Sequence, residues 1–347
     1  MNILENSHVV SPLPKGKHII TCVTGERPFA YSHDKETGSC NPDWMSGLSD
    51  DTCMSEISIP GTHDTMAQYG GDSAQCQSVS LSDQLEAGIR FIDIRCRHIT
   101  DVFAIHHGVV YQNCSFGDVL DAVSEFLNVH PTETIYMRVK EEYEPSNNTR
   151  TFEETFRDAY WNARQSLFWK PDECACHCNP KLELTRGKIV VLQDFNANEI
   201  YGVKWGTLNV QDDYVLSSNW DLYDKWEKVK KQLDNANRNK DSKNIYVNFL
   251  SGSTGSFPYF VASGQSSPQT DAPRLLTGRT TPGWKDSWVD FPRVGCFCGI
   301  CSIAFEGTNI LAAERIGKDR EFNTHVGIVI ADFPARDLID RIISLNK

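Results

Sequence analysis

No stretch of this sequence approaches the roughly 20 consecutive apolar residues that an α-helix needs to cross a bilayer, so a helical membrane span is excluded. The opening Met1-Asn2-Ile3-Leu4-Glu5 lacks the basic segment and apolar run of a secretory leader. No internal repeat or low-complexity tract is evident. No glycine-rich loop follows the first strand-like run, which weighs against a doubly wound nucleotide-binding sheet. Positive charge is in short supply, with 34 Lys and Arg against 46 Asp and Glu and a formal net charge of −12. Such a surface repels nucleic acid and anionic membranes at long range, yet leaves room for a local basic pocket.

What is present is ordinary globular material: 347 residues, 40% hydrophobic and 23% charged, ample for one large core. Cysteine is plentiful at 12. Cys174, Cys176 and Cys178 form one tight cluster and Cys296, Cys298 and Cys301 another; Cys22, Cys40, Cys53, Cys76, Cys96 and Cys114 are scattered. The C-x-C spacing, even with His177 inside it, is tighter than that of structural zinc sites, so disulfides are the preferred reading, with pairing left open. Disulfides, together with the sequons at Asn113 and Asn147, point to an oxidising, extracellular setting with a leader already removed.

Short apolar runs rich in β-branched residues recur at 56–59, 91–95, 102–105, 134–139, 188–192, 244–249 and 326–330. Continuous runs of this kind suit strands buried on both faces. Helical patterns lie between them, at Ser80–Gly88 with a capping serine and a terminal glycine, at Phe116–Val129, and at Asn219–Ala236. Alternating strands and helices imply a parallel sheet, and seven or so strands over this length predict a single α/β domain folded as a distorted (β/α)8 barrel. Residues 1–40 read as an N-terminal extension to a barrel over 41–347, and 251–325 reads as long loops rich in Gly, Ser, Thr and Pro.

Polar residues gather where these strands end, the catalytic end of such barrels. The first run leads into His63-Asp64; the second carries Asp93 and Arg95 at i,i+2, facing the lumen if Ile92 and Ile94 face helices; the third ends in His106-His107; the fourth carries Arg138 and Lys140; the last ends in Asp332. Each alone has a bland reading as a capped turn or a solvated strand end. Five strand ends with such groups are harder to dismiss. Two histidines can serve as base and acid, carboxylates can hold their tautomers, and Arg95 and Lys140 can stabilise phosphate charge. The set suits phosphoryl transfer to an internal hydroxyl with no metal.

Ile57-Ser58-Ile59-Pro60-Gly61-Thr62-His63-Asp64-Thr65, Gly88-Ile89-Arg90-Phe91-Ile92-Asp93-Ile94-Arg95-Cys96-Arg97, His106-His107-Gly108-Val109-Val110-Tyr111 and the block Pro131–Tyr143 together resemble the X-domain of phosphatidylinositol-specific phospholipase C, nearest to the small secreted bacterial type. The resemblance spans about residues 42–347. It implies an incompletely closed barrel that cleaves phosphatidylinositol, with glycosylphosphatidylinositol anchors left open as a further substrate. It also implies His63 as general base, His107 rather than His106 as general acid paired with Asp64, Asp332 as the orienter of the base, and Arg95 on the phosphate. Lys140, Asp212 and Tyr214 would contact the inositol ring, alongside Asp93. Arg95 stands where calcium-dependent relatives hold their metal, so no cofactor and no calcium requirement is expected. The implied partner is an inositol lipid at a membrane surface, met by a monomer acting as a peripheral protein.

The sequence departs from the bacterial pattern at Asp194, which stands where a ring-binding arginine is expected; Lys204 is a substitute cation to consider. The segment from His63 to Ser80 is polar where the bacterial enzymes carry a membrane-touching helix, and Phe257, Tyr259 and Phe260 are expected to form the apolar rim instead. Two other functions compete: a metal-dependent glycerophosphodiester phosphodiesterase, and an inactive domain that binds inositol lipids.

Overall fold

The structure is a computed structural model and describes residues 27–171, 178–280, 287–318 and 324–347. Eight parallel strands form a curled sheet in the order β7-β6-β5-β2-β1-β15-β10-β8. The first half comprises β1 (Ile59–Thr62), β2 (Phe91–Ile99), β5 (Thr134–Glu141), β6 (Lys188–Asp194) and β7 (Gly202–Lys204). The second half comprises β8 (Asn209–Gln211), β10 (Tyr246–Phe249) and β15 (Ile328–Ala331). β7 and β8 are the two ends of the sheet, joined by the short turn Trp205–Thr207 and not by a ladder. The fold is a distorted (β/α)8 barrel with one open seam.

Alternation along the strands sorts the core into two shells. Phe91, Tyr136, Val190, Leu192, Val247, Phe249, Ile328 and Ile330 fill the lumen. Ile92, Ile94, Ile135, Met137, Val139, Ile189 and Val191 face outward onto helices. Gly61 on β1 is dictated by this lumen packing, because a Cβ there would lie 2.8 Å from the Phe91 ring.

α1 (Leu81–Ala87) begins at Ser80, whose side chain accepts from the Asp83 N–H, and ends at Gly88 with φ 115°. α2 (Phe116–Val129) has a capping box between Ser115 and Asp118, and buries Val119, Leu120, Val123, Phe126 and Leu127. The short helices α3 (Phe152–Thr155) and α4 (Leu182–Thr185) follow β5 and precede β6. α5 (Leu222–Arg238) starts three residues later than its apolar pattern suggests, because Asn219–Asp221 forms a 3-10 turn capped by Ser218. α8 (Arg336–Ser344) closes the chain against β1.

Three expectations need correction. The run at 102–105 is not a barrel strand. β3 (Val102–His107) pairs antiparallel with the far half of β2 and with β4 (Val110–Ser115), so it forms a hairpin standing on the barrel rim. The run at 56–59 begins the first strand too early, because Met54–Glu56 is a 3-10 turn in which Glu56 accepts from the Cys53 N–H at 2.7 Å. The segment 251–325 is not a set of loops. It holds α6 (Pro258–Ser263), an antiparallel sheet of β12 (Leu276–Thr280), β13 (Arg293–Phe297) and β14 (Ile300–Ala304), and α7 (Thr308–Lys318), which buries Ile310, Leu311 and Ile316. Two-residue strands β9 (Val215–Leu216) and β11 (Ser253–Thr254) also pair. The segment has polar composition, but its few apolar residues fall at helical spacing.

The described part of the leading segment packs on the barrel. Arg27 pairs with Glu306 at 2.8 Å, and the Tyr31 hydroxyl donates to the Pro268 carbonyl at 2.7 Å. Among the described residues one disulfide is present, Cys296–Cys301, across the turn between β13 and β14. Cys40, Cys76, Cys96, Cys114, Cys178 and Cys298 are thiols there, so the expectation of extensive disulfide bonding does not hold for them. Cys22, Cys174, Cys176 and His177 lie outside the described residues.

Candidate active site

On β2, β5, β6 and β15 the lumen face turns from apolar to polar towards the C-terminal end. On β2 the series is Phe91, Asp93, Arg95; on β5 it is Tyr136, Arg138, Lys140; on β6 it is Val190, Leu192, Asp194; beyond β15 it is Ile328, Ile330, Asp332. His63 follows Ile59 and Gly61 in the same phase at the end of β1. Because all eight strands are parallel, these polar ends share one mouth.

β1 and β15 are neighbours, and this pairing sets His63 Nδ1 2.8 Å from Asp332 Oδ1. The other ring nitrogen, Nε2, lies 2.8 Å from Arg95 Nη2. A guanidinium can only donate, so Nε2 accepts and Nδ1 carries the proton given to Asp332. Burial alone would depress the His63 pKa; the Asp332 carboxylate outweighs burial and raises it above the ordinary value, against opposition from Arg95.

The hairpin β3–β4 carries His107 to the mouth. Its Nδ1 donates to the Ala74 carbonyl at 2.7 Å and lies 3.5 Å from Asp64 Oδ2, which leaves Nε2 as the nitrogen available for proton transfer. His106 faces the other side of the hairpin, buried against Tyr111. Asp64 is fully buried; burial raises its pKa, while Arg95 at 3.7 Å and His107 oppose the rise. Its backbone, in the left-handed region at φ 40°, is held by Asp93, which accepts from the Asp64 N–H at 3.1 Å.

Asp93 receives Arg95 at 3.0 Å and Arg138 at 3.3 Å. Burial would push its pKa up, but these two guanidinium groups hold it far below the usual carboxylate range. Arg138 also pairs with Asp194 at 2.6 Å and lies over the Trp205 ring at 4.2 Å. Asp194 thus anchors a cation that enters the mouth one strand away, and Lys204, the expected substitute, is exposed at the seam. Lys140 lies 3.4 Å from Glu142, which also accepts from the Gly108 N–H at 3.0 Å beside His107. Asp212 and Tyr214 follow the C-terminal end of β8, both exposed, with no contact to His63, Arg95 or His107 among the described residues.

Three neighbours went unread in the sequence. Glu142 continues the i,i+2 series of Arg138 and Lys140, so its position was legible. Cys76, buried with Sγ 4.0 Å from His107 Nδ1, and Gln77, which donates to the His63 carbonyl at 2.8 Å, come from an irregular loop that carries no periodic signal. A cleft of about 780 Å³ opens beside His107, lined by Ser73, Trp220 and Phe257 among others. Phe257 and Trp220 are the exposed aromatics of this rim; Tyr259 and Phe260, on α6, are buried in the core, which corrects the rim expected from sequence.

The model of the phosphatidylinositol-specific phospholipase C X domain matches residues 51–194, a span that contains His63, Asp64, Asp93, Arg95, His107 and Lys140. The 1-phosphatidylinositol phosphodiesterase of Staphylococcus aureus (strain Newman) is 32% identical over 292 residues, covering 74% of this chain and 91% of that protein. The chain belongs to the phosphatidylinositol-specific phospholipase C family. The Listeria monocytogenes 1-phosphatidylinositol phosphodiesterase is 32% identical over 267 residues, covering 72% of this chain and 80% of that protein. The solved structure of phosphatidylinositol-specific phospholipase C from Listeria monocytogenes superimposes with a TM-score of 0.63 at 27% identity, covering 89% of this chain and 99% of that one. A Staphylococcus aureus phosphatidylinositol-specific phospholipase C structure, from work on its membrane binding, gives 0.65 at 27% identity over 90% and 99%. His63, Arg95 and His107 all fall at one mouth, at the end of β1, on β2 and on the β3–β4 hairpin.

Proposed function

We propose that this protein is a phosphatidylinositol-specific phospholipase C that works as a lyase, releasing diacylglycerol and a cyclic inositol phosphate. The observation that carries the reading is the His63 ring held between Asp332 and Arg95, at 2.8 Å on each side, with His107 beyond Asp64. His63 Nε2 takes the proton of the inositol 2-hydroxyl as that oxygen attacks phosphorus. The bond from phosphorus to the glycerol oxygen breaks, and His107 Nε2 returns a proton to the leaving oxygen. Arg95 leaves His63 for the phosphate and stabilises charge developing on its oxygens. Asp332 holds the tautomer of the base, and Asp64 supports His107. Lys140, Arg138, Asp93, Asp212 and Tyr214 are the proposed neighbours of the inositol ring.

A metal-dependent glycerophosphodiester phosphodiesterase would need carboxylate ligands where Arg95 and His107 stand. The Cys296–Cys301 disulfide and the exposure of both sequon residues, Asn113 and Asn147, support action outside the cell. The proposed partner is the lipid surface alone, met by a monomer that takes no nucleic acid. The test is phosphorus NMR of phosphatidylinositol turnover. Wild type gives the cyclic phosphate first, and His63→Ala and His107→Ala each lose on the order of 10²–10⁴ in rate. Undiminished turnover in either variant, or a product that is never cyclic, overturns the mechanism.

A further inference from the structure

We propose that His63, Cys76 and Asp332 form a binding site for a thiophilic divalent cation, zinc in particular, whose occupancy switches the enzyme off. Among the described residues these three are the group able to hold a metal: an imidazole nitrogen, Sγ and a carboxylate oxygen all lie within 4.8 Å of one another. A zinc ion sits about 2.0–2.3 Å from each such ligand, so the donors need to close by only about 1 Å around it. Soft thiolate, imidazole and carboxylate together favour zinc over calcium, which prefers six or more oxygens.

A second observation points the same way. Asp332 is 1% exposed; its Oδ1 is held by His63, and among the described residues its Oδ2 has no hydrogen-bond partner other than the weakly donating Cys76 thiol. The Cys76 thiol is the group beside it, and a cation that displaces the thiol proton would be held by thiolate and carboxylate together. The donors are also prearranged through the backbone. Phe333 N–H donates to the Cys76 carbonyl at 2.9 Å, the Asp332 carbonyl accepts from Asn309 at 2.8 Å, and Gln77 binds the carbonyls of His63 and Ala331. These bonds fix the thiol loop against the ends of β1 and β15.

Arg95 does not occupy this site. It lies at Nε2, on the opposite edge of the imidazole from Asp332, and is neutralised there by Asp93 and Asp64. A thiolate and a carboxylate balance the charge of the dication. Once bound, the ion replaces the proton that His63 shares with Asp332, and a ring ligated to a dication no longer gains a proton readily. Cys76 has no part in the proposed cleavage, so the site is inhibitory and not a cofactor site.

The binding claim is independent of the proposed function; the inhibition claim rests on it. Two readouts keep their failures apart. Cobalt(II) added to the full-length protein is expected to give a thiolate-to-cobalt charge-transfer band, and the part contributed by this site disappears in Cys76→Ser. Zinc is expected to abolish phosphatidylinositol cleavage by wild type, reversibly with chelator, while Cys76→Ser cleaves lipid normally and resists zinc. A thermal melt checks that the variant folds, and Cys76→Ala serves as the second substitution. Identical cobalt spectra for wild type and both variants overturn the site. A Cys76-dependent band with no effect of zinc on turnover overturns the switch. A band without any lipid cleavage leaves the site standing and removes the proposed function.

Discussion

The histidine pair is unequal in its surroundings, and the difference has a measurable consequence. Asp332 raises the His63 pKa above its ordinary value of 6.5 against the opposing effect of burial. As the proposed base, His63 must be unprotonated to act, so kcat/KM is expected to fall as pH drops through this raised value. Asp332→Asn removes the cause of the rise, so the acid limb of the profile moves to lower pH while the plateau falls; a limb that stays in place contradicts the assignment. Arg95 supports a second prediction. Its guanidinium lies between Asp64 and Asp93, where a calcium ion would need open carboxylates. Turnover in excess calcium chelator is expected to equal that in buffer, whereas Arg95→Ala loses on the order of 10²–10³ in kcat. His63, Asp93, Arg95 and Lys140 were legible because strand alternation places them in phase with apolar lumen residues. Arg138 was legible as a position but not as a partner of Asp194, because that pair joins strands 56 residues apart. Cys76 could not be read at all: nothing in its irregular loop signals that it ends beside Asp332.

At the level of elements, the parallel strands were readable from their apolar runs, and α1 and α2 from their caps. The hairpin that delivers His107 was not. Val102–Ile105 has the composition of any buried strand, and only the tight Thr100-Asp101 turn, with both residues at positive φ, makes it fold back on β2. Another element-level contact holds the opposite end of the barrel. Arg90, before β2, and Glu133, before β5, pair at 2.8 Å with both side chains 0% exposed. Arg90 also donates to the carbonyls of Leu85, Ile89 and Pro42, tying α1 and the leading segment to the sheet. Glu133→Ala strands the guanidinium in a buried site and is expected to cost about 3–5 kcal/mol in urea unfolding. It should leave the pH profile of the remaining folded enzyme unchanged, since the pair lies at the N-terminal ends of the strands.

For the whole molecule, the net charge of −12 sets how the active mouth meets a lipid surface. Long-range attraction to anionic lipid is unavailable, so contact depends on the short-range apolar rim, where Trp220 is 53% and Phe257 45% exposed. The double substitution Trp220→Ala with Phe257→Ala is expected to lower turnover of phosphatidylinositol in vesicles by roughly tenfold or more. Turnover of a soluble inositol phosphodiester should change little. Equal loss on both substrates places the aromatics in substrate binding and not in membrane contact.

The pairing of the first barrel strand with the last carries a further consequence, one of time. His63 and its orienting Asp332 are 269 residues apart. At about 5–20 residues per second, a ribosome needs roughly 13–54 s to travel between them. From residue 107 onward a growing chain carries His63, Arg95 and His107 without the Asp332 that pairs with His63. On the proposed mechanism, lipid cleavage starts only once β15 has slotted in beside β1, so membranes near the site of synthesis would meet a chain that cannot yet act.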